Sequence, residues 1–196
     1  NLTLLVCNFP IICNLIFGFA FLISDHFSTA SWTLFSPKLV WPCFISGKIL
    51  KKWRTLDLPV IHARHSSTNP ESKLHKSKPG FEFNDYVIPL KTEMVLTKKV
   101  NSAFIGTNLE DILFKRNINT LVIVGMTTNH CISTTVRMSG NLGFNTYLIS
   151  DSTACYNTKG LNGEIIDCNT IYNSALASLQ EEFATVIDSK ELFDIL

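Results

Sequence analysis

Charge is scarce at the start of this chain: across the first 37 residues, Asp25 is the only Asp, Glu, Lys or Arg. From Leu4 to Ile23 the sequence is apolar apart from Asn8, Pro10, Asn14 and Gly18, a run long enough to span a bilayer. A membrane anchor is one reading. Against it, no basic flank precedes the run, no Met opens it, and Pro10 and two Asn residues fall inside it. A second reading takes only Phe19 to Ser24, FAFLIS, as the first core strand, ending at Asp25. A third treats the N-terminus as foreign to the rest of the chain. The strand is the working expectation, with no membrane association.

Other absences narrow the function. Lys and Arg number 17 against 16 Asp and Glu, a net charge of +1, so the basic excess of a nucleic-acid binder is missing. The six cysteines, at 7, 13, 43, 131, 155 and 168, form no CxxC pair and no dense disulfide framework. That usage implies a reducing, cytoplasmic setting and gives no sign of a zinc site. No internal repeat or low-complexity tract is present. At 196 residues with 46% hydrophobic side chains, the chain suits one domain with a sizeable core. Residues 1–44 form its atypical apolar part and 45–196 its regular part.

From Ile45 onward the patterning is regular. Ile49, Leu50 and Trp53 share a helical face, and Leu58 to Ala63 reads as a short buried strand. Arg64 to Pro89, with Asn69, Pro70, Pro79 and Gly80, reads as a long surface loop, and loops of that length are often functional. Val95 to Thr97 predicts a strand and Leu109 to Phe114 a helix. Leu121 to Val124 predicts a strand buried on both faces, ended by Gly125. A helix is expected from about Asn129 to Gly140 and a strand at Tyr147 to Ile149. A helix from about Glu164 to Glu182, a strand at Thr185 to Ile187 and a terminal helix follow. Strands alternating with helices imply right-handed crossovers. The expected fold is a three-layer α/β/α architecture with a six-stranded, mainly parallel, doubly wound sheet.

In such sheets the site forms beyond the carboxyl ends of the strands, where Asp25, Lys98 and Cys131 are all expected. Cys131 follows a strand and a tight turn and opens a helix, whose free N–H groups and dipole favour a thiolate. A buried cysteine usually serves only as a small hydrophobe; its surroundings decide here. The stretch GMTTNHCISTTVRMSGNLGF resembles the nucleophile segment of the isochorismatase-like cysteine hydrolases, the superfamily that also holds nicotinamidases and several amidohydrolases. LTKKVNSAFIGTNLEDIL resembles that family's lysine motif. With VIHARHSS and SALASLQEEFATVID, the resemblance covers about Ile49 to Leu196.

The resemblance implies a triad of Asp25, Lys98 and Cys131. Cys131 would attack an amide carbonyl, the Asp25 carboxylate would take its proton and return it to the leaving nitrogen, and the Lys98 ammonium would favour the thiolate. Lys98 is preferred over Lys99 because it stands four residues before Ser102 and because strand alternation sends Lys99 to the opposite face. The family's oxyanion hole maps to the backbone N–H groups of Thr127 and Cys131, with a cis peptide at Met126–Thr127. His130 is expected to face the substrate pocket, Phe104 to be pocket wall or core, and His65 to order its loop. Nicotinamidases bind a metal through an Asp-x-His pair; here His62-Ala63-Arg64-His65 stands at that place without the Asp, so neither metal nor cofactor is expected. The implied function is hydrolysis of a C–N bond in a small-molecule amide through a thioester, by a homo-oligomer. The alternative is a catalytically silent binding or assembly subunit of the same fold, suggested by Phe27 where the family usually has Gln two residues after its Asp.

Overall fold

The structure is a computed structural model that describes residues 2–7 and 40–196. Six strands form one parallel sheet: β1 (Leu2–Cys7), β2 (Val60–His65), β3 (Met94–Lys98), β4 (Thr120–Gly125), β5 (Asn145–Ile149) and β8 (Thr185–Ile187), in the order β3-β2-β1-β4-β5-β8. A two-stranded hairpin, β6 (Thr158–Lys159) with β7 (Ile165–Ile166), stands apart from it.

Period-two alternation divides the core between the two faces. Leu4 and Val6 of β1, with Val122 and Val124 of β4, face Ile49, Leu50 and Trp53 of helix α1 (Val40–Thr55) and Leu192 of α5 (Ser189–Asp194). Leu5, Cys7, Leu121 and Ile123 face the other way. There they meet Leu109 and Leu113 of α2 (Leu109–Lys115), Val136 of α3 (Ser133–Asn141), and Leu176 of α4 (Cys168–Ala177) at the edge of the cluster. Burial on both faces is why β4 reads as a continuous apolar run. The three-layer, doubly wound fold expected from sequence is the one observed.

The N-terminal assignment needs correction. The place between β2 and β4 belongs to Leu2–Cys7, in parallel register with both; Phe19–Ser24, expected there, lies outside the described residues. Because Leu4 to Cys7 are extended, Leu4–Ile23 does not form one membrane-spanning helix, and among the described residues no helix is long and apolar enough to cross a membrane. The helix expected over Glu164–Glu182 is shorter. Ile165 and Ile166 are taken by the hairpin, the Asp167 side chain caps α4 by accepting from the Asn169 N–H, and the helix stops at Ala177.

Candidate active site

The carboxyl ends of β1, β2, β3 and β4 meet at a cavity of about 420 Å³ lined by Cys7, His65, Lys98, Met126, Thr127 and Cys131, with Lys73, Leu74, Asn101, His130 and Tyr156 among the others. β4 ends at Gly125, whose φ of +138° suits glycine. A Cβ there would also collide with the carbonyl oxygen of Cys7, so glycine lets β1 and β4 stay paired to the rim. The Met126–Thr127 peptide is cis, as the resemblance implied. Thr128–Ile132 then forms a π-helical turn that runs into α3. Cys131 therefore sits inside this turn, and the α-helix proper begins two residues later than its expected role as opener requires. Such turns recur at functional sites. The Thr128 N–H donates to Ala154 O at 3.0 Å, and the Thr128 and Thr153 hydroxyls meet at 2.8 Å, fixing the turn against the chain beyond β5.

Lys98 is 1% exposed, whereas Lys99 faces solvent. Its ammonium has three protons and three neighbours: Cys131 Sγ at 3.2 Å, Val100 O at 3.1 Å and His65 Nδ1 at 3.3 Å. His65 and Lys98 are register partners on β2 and β3, which explains their contact. Because the ammonium can only donate, His65 Nδ1 is the acceptor, so the ring is the neutral tautomer with its proton on Nε2. Burial, reinforced by the charge of Lys98, lowers the pKa of His65 and keeps it neutral. His65 thus does more than order its loop: it buttresses the ammonium and lies 4.0 Å from Cys131 Sγ.

The segment after β3 is tied to the nucleophile helix. The Ala103 N–H donates to Thr135 Oγ1 of α3, and Thr107 Oγ1 donates back to Ala103 O before its own oxygen accepts from the Leu109 N–H at the start of α2. Lys98 and Cys131 are thereby held at fixed separation by the Ser-Ala-Phe motif. Asn101, two residues past Lys99, brings its side-chain oxygen to 3.8 Å from the sulfur. Sequence reading passed over it although it lies within the lysine motif.

Phe104 belongs to the core and does not line the cavity: it is 7% exposed and stacks on Phe144 at 5.9 Å between centroids. His130 lines the cavity, its Nδ1 3.0 Å from Thr127 Oγ1. Thr127 lines it as well. Asp25 lies outside the described residues. The position at the end of β1, facing Lys98 and Cys131, is held by Cys7, whose thiol is pushed up to about 12 by burial, a rise that Lys98 partly opposes. Cys7 is therefore a neutral thiol and no substitute for a carboxylate. Sequence reading missed it because β1 was assigned elsewhere. Of the other histidines, His62 is buried against Glu93 at 2.9 Å. Among the described residues no group of three or more His, Cys, Asp or Glu could hold a metal ion.

A three-layer α/β fold that gathers Cys131 and the buried Lys98 at the carboxyl ends of its strands is the fold of a class of hydrolases. The isochorismatase domain family matches residues 46–191, and the chain belongs to that family of hydrolases, related to amidohydrolases. It is 48% identical over 148 residues to the isochorismatase family protein YrdC of Bacillus subtilis (strain 168), covering 76% of this chain and 79% of YrdC. Ureidoacrylate amidohydrolase RutB of Cronobacter turicensis is 29% identical over 120 residues, 53% of this chain and 52% of RutB. Among solved structures, an isochorismatase-family protein from Chromobacterium violaceum superposes with a TM-score of 0.80 at 28% identity, covering 98% of this chain and 91% of that one.

Proposed function

We propose that this protein hydrolyses a C–N bond of a small amide through a thioester on Cys131, with an Asp25-Lys98-Cys131 triad. The observation that carries the reading is the 3.2 Å contact between the Lys98 ammonium and Cys131 Sγ in the wall of the cavity. An ammonium donating to sulfur stabilises the negative charge a nucleophile needs. In the proposed sequence Asp25 takes the thiol proton, the sulfur attacks the carbonyl carbon, and the oxyanion is held by the Thr127 and Cys131 N–H groups. Asp25 then delivers its proton to the departing nitrogen as the C–N bond breaks. Water, deprotonated by the same carboxylate, releases the acid from the thioester. The reaction calls on no cofactor, and the protein acts as a cytoplasmic homo-oligomer. Sedimentation showing a monomer at micromolar concentration would remove the oligomer.

A specific observation favours the second reading, a silent binding subunit: among the described residues the cavity wall offers a thiol, Cys7, where β1 meets Lys98 and Cys131, and no carboxylate. Incubation with a panel of small primary amides, followed by hydroxylamine trapping and peptide mass spectrometry, separates the two. The hydrolase reading expects an acyl adduct on Cys131 and ammonia release that Cys131→Ala abolishes. Reactivity at Cys131 no greater than at Cys155, whose thiol burial pushes up, would establish the silent subunit.

A further inference from the structure

The cavity over Cys131 carries a positive charge that its own described residues leave unanswered. The three donors of Lys98 are taken by Cys131, His65 and Val100, and the ammonium faces the sulfur's developing negative charge. His65 is a neutral acceptor. Lys73 differs: it lines the cavity, is exposed, and takes part in neither of the two ion pairs found among the described residues, both of which belong to Glu93. No described Asp or Glu lines the cavity. Between Lys73 at the rim and the Lys98–Cys131 pair at the floor, the wall includes Ala63, Leu74 and Met126.

The turn that presents Lys73 is built, which distinguishes it from a lysine on a loose loop. The Ser67 N–H donates to Leu74 O at 3.1 Å, the Leu74 N–H to Ser72 Oγ at 3.2 Å, and the His75 N–H to Ser72 O at 3.0 Å. Gly80 lies so close beneath that a Cβ on it would run into the Lys73 carbonyl oxygen. Backbone contacts on both sides therefore aim residues 73 and 74 at the cavity.

We propose that the substrate is a small amide bearing one carboxylate, which Lys73 binds at the rim while the amide carbonyl sits over Cys131. This rests on the hydrolase reading above and adds the substrate class. One open ammonium at the rim matches one carboxylate, and the apolar wall matches a short hydrocarbon spacer between the acid and the amide. A dianion would bring a second charge to a cavity whose described lining offers no Lys or Arg besides Lys73 and the engaged Lys98, and a neutral amide would leave the Lys73 charge unused.

The test uses succinamate and glutaramate, each with one carboxylate and one primary amide, against their methyl esters, which keep the amide and lose the charge. The acids are expected to exceed the esters in kcat/KM by about tenfold or more, with the gap in KM, as a charged hydrogen bond supplies. Lys73→Met is expected to bring that ratio to within about twofold, and Lys73→Arg to keep most of it. Esters turned over as well as acids, or a gap that persists in Lys73→Met, would overturn the proposal while leaving the hydrolase intact. Calorimetry on Cys131→Ala answers independently of turnover. Glutaramate binding that exceeds its ester's and that Lys73→Met weakens about tenfold supports the site; equal binding of acid and ester, or no binding of either, rejects it.

Discussion

Two polar clusters beside β2, one gathered on Glu93 and one on Lys98, have been given opposite surroundings. Arg54 and His62 converge on one carboxylate: Arg54 Nε lies 2.7 Å from Glu93 Oε1, Arg54 Nη2 2.8 Å from Oε2, and His62 Nε2 2.9 Å from Oε2, with the Leu90 N–H donating to the same oxygen. Lys98, on the adjacent strand, meets a thiol, an imidazole and a carbonyl. Burial raises the pKa of Glu93, yet its hydrogen bonds, that from Arg54 foremost, bring it down to about 2. A charge matched by a full opposite charge is fixed and unreactive, and it braces the β2–β3 edge. A charge facing a thiol supports a transient anion. The two clusters lie on opposite faces of β2, since His62 and His65 are an odd number of residues apart.

Changing each cluster in turn sharpens this contrast. Lys98→Met is expected to lower kcat/KM by at least about a thousandfold, since groups acting as one unit fail together, while the melting temperature holds or rises because a buried charge is replaced by an apolar chain of similar volume. A parallel loss of folding, read by circular dichroism, would instead make Lys98 a structural cation like Arg54. Gly125→Ala should cost several kcal/mol, on the order of 3, as the new Cβ forces β4 away from β1 against backbone; chemical denaturation measures it. Glu93→Gln should cost about 2 kcal/mol and leave the kcat/KM of the folded fraction within about threefold. The acid limb gives the finest test. Glu93 binds its proton more weakly folded than unfolded, so its stabilisation is full above its ordinary value near 4.5 and is lost as pH falls toward about 2. His62, whose pKa burial lowers, acts in the same direction below its ordinary 6.5, because the unfolded chain takes up that proton first. Stability should therefore fall with acidity, and Glu93→Gln should flatten the lower part of that limb.

The site was legible in the sequence wherever a turn residue or a short motif interrupted a strong pattern. The run to Val124 closed by Gly125 marks a strand end ahead of Cys131, and strand alternation separates Lys98 from Lys99, while their reading as reactive residues came from the resemblance of the two motifs around them to the isochorismatase-like family. The N-terminus was not legible for the opposite reason. LTLLVC and FAFLIS are both apolar runs of six within one uniform stretch, and nothing local says which of them fills the gap between β2 and β4; that choice is made by pairing partners more than fifty residues away. Phe104 shows the same limit at the scale of a side chain, since only the arrival of Phe144 decides that its ring turns to the core. Lys73 sits in a stretch read only as loop, and its position at the cavity depends on Gly80, seven residues on.

The short first strand has a consequence for how the molecule divides. Without Leu2–Cys7 the sheet would be two separate ribbons, β3-β2 and β4-β5-β8, each with a raw edge toward the other and prone to pair with a neighbouring chain. Those ribbons also divide the chemistry: His65 and Lys98 belong to one, Cys131 to the other. β3 and β4 stand three strand spacings apart, about 14 Å, and the outstretched Lys98 side chain and the returning π turn close that span to the 3.2 Å between ammonium and sulfur. Six N-terminal residues act as the seam allowance of the whole sheet, setting the distance at which the two halves of the reactive pair are stitched together.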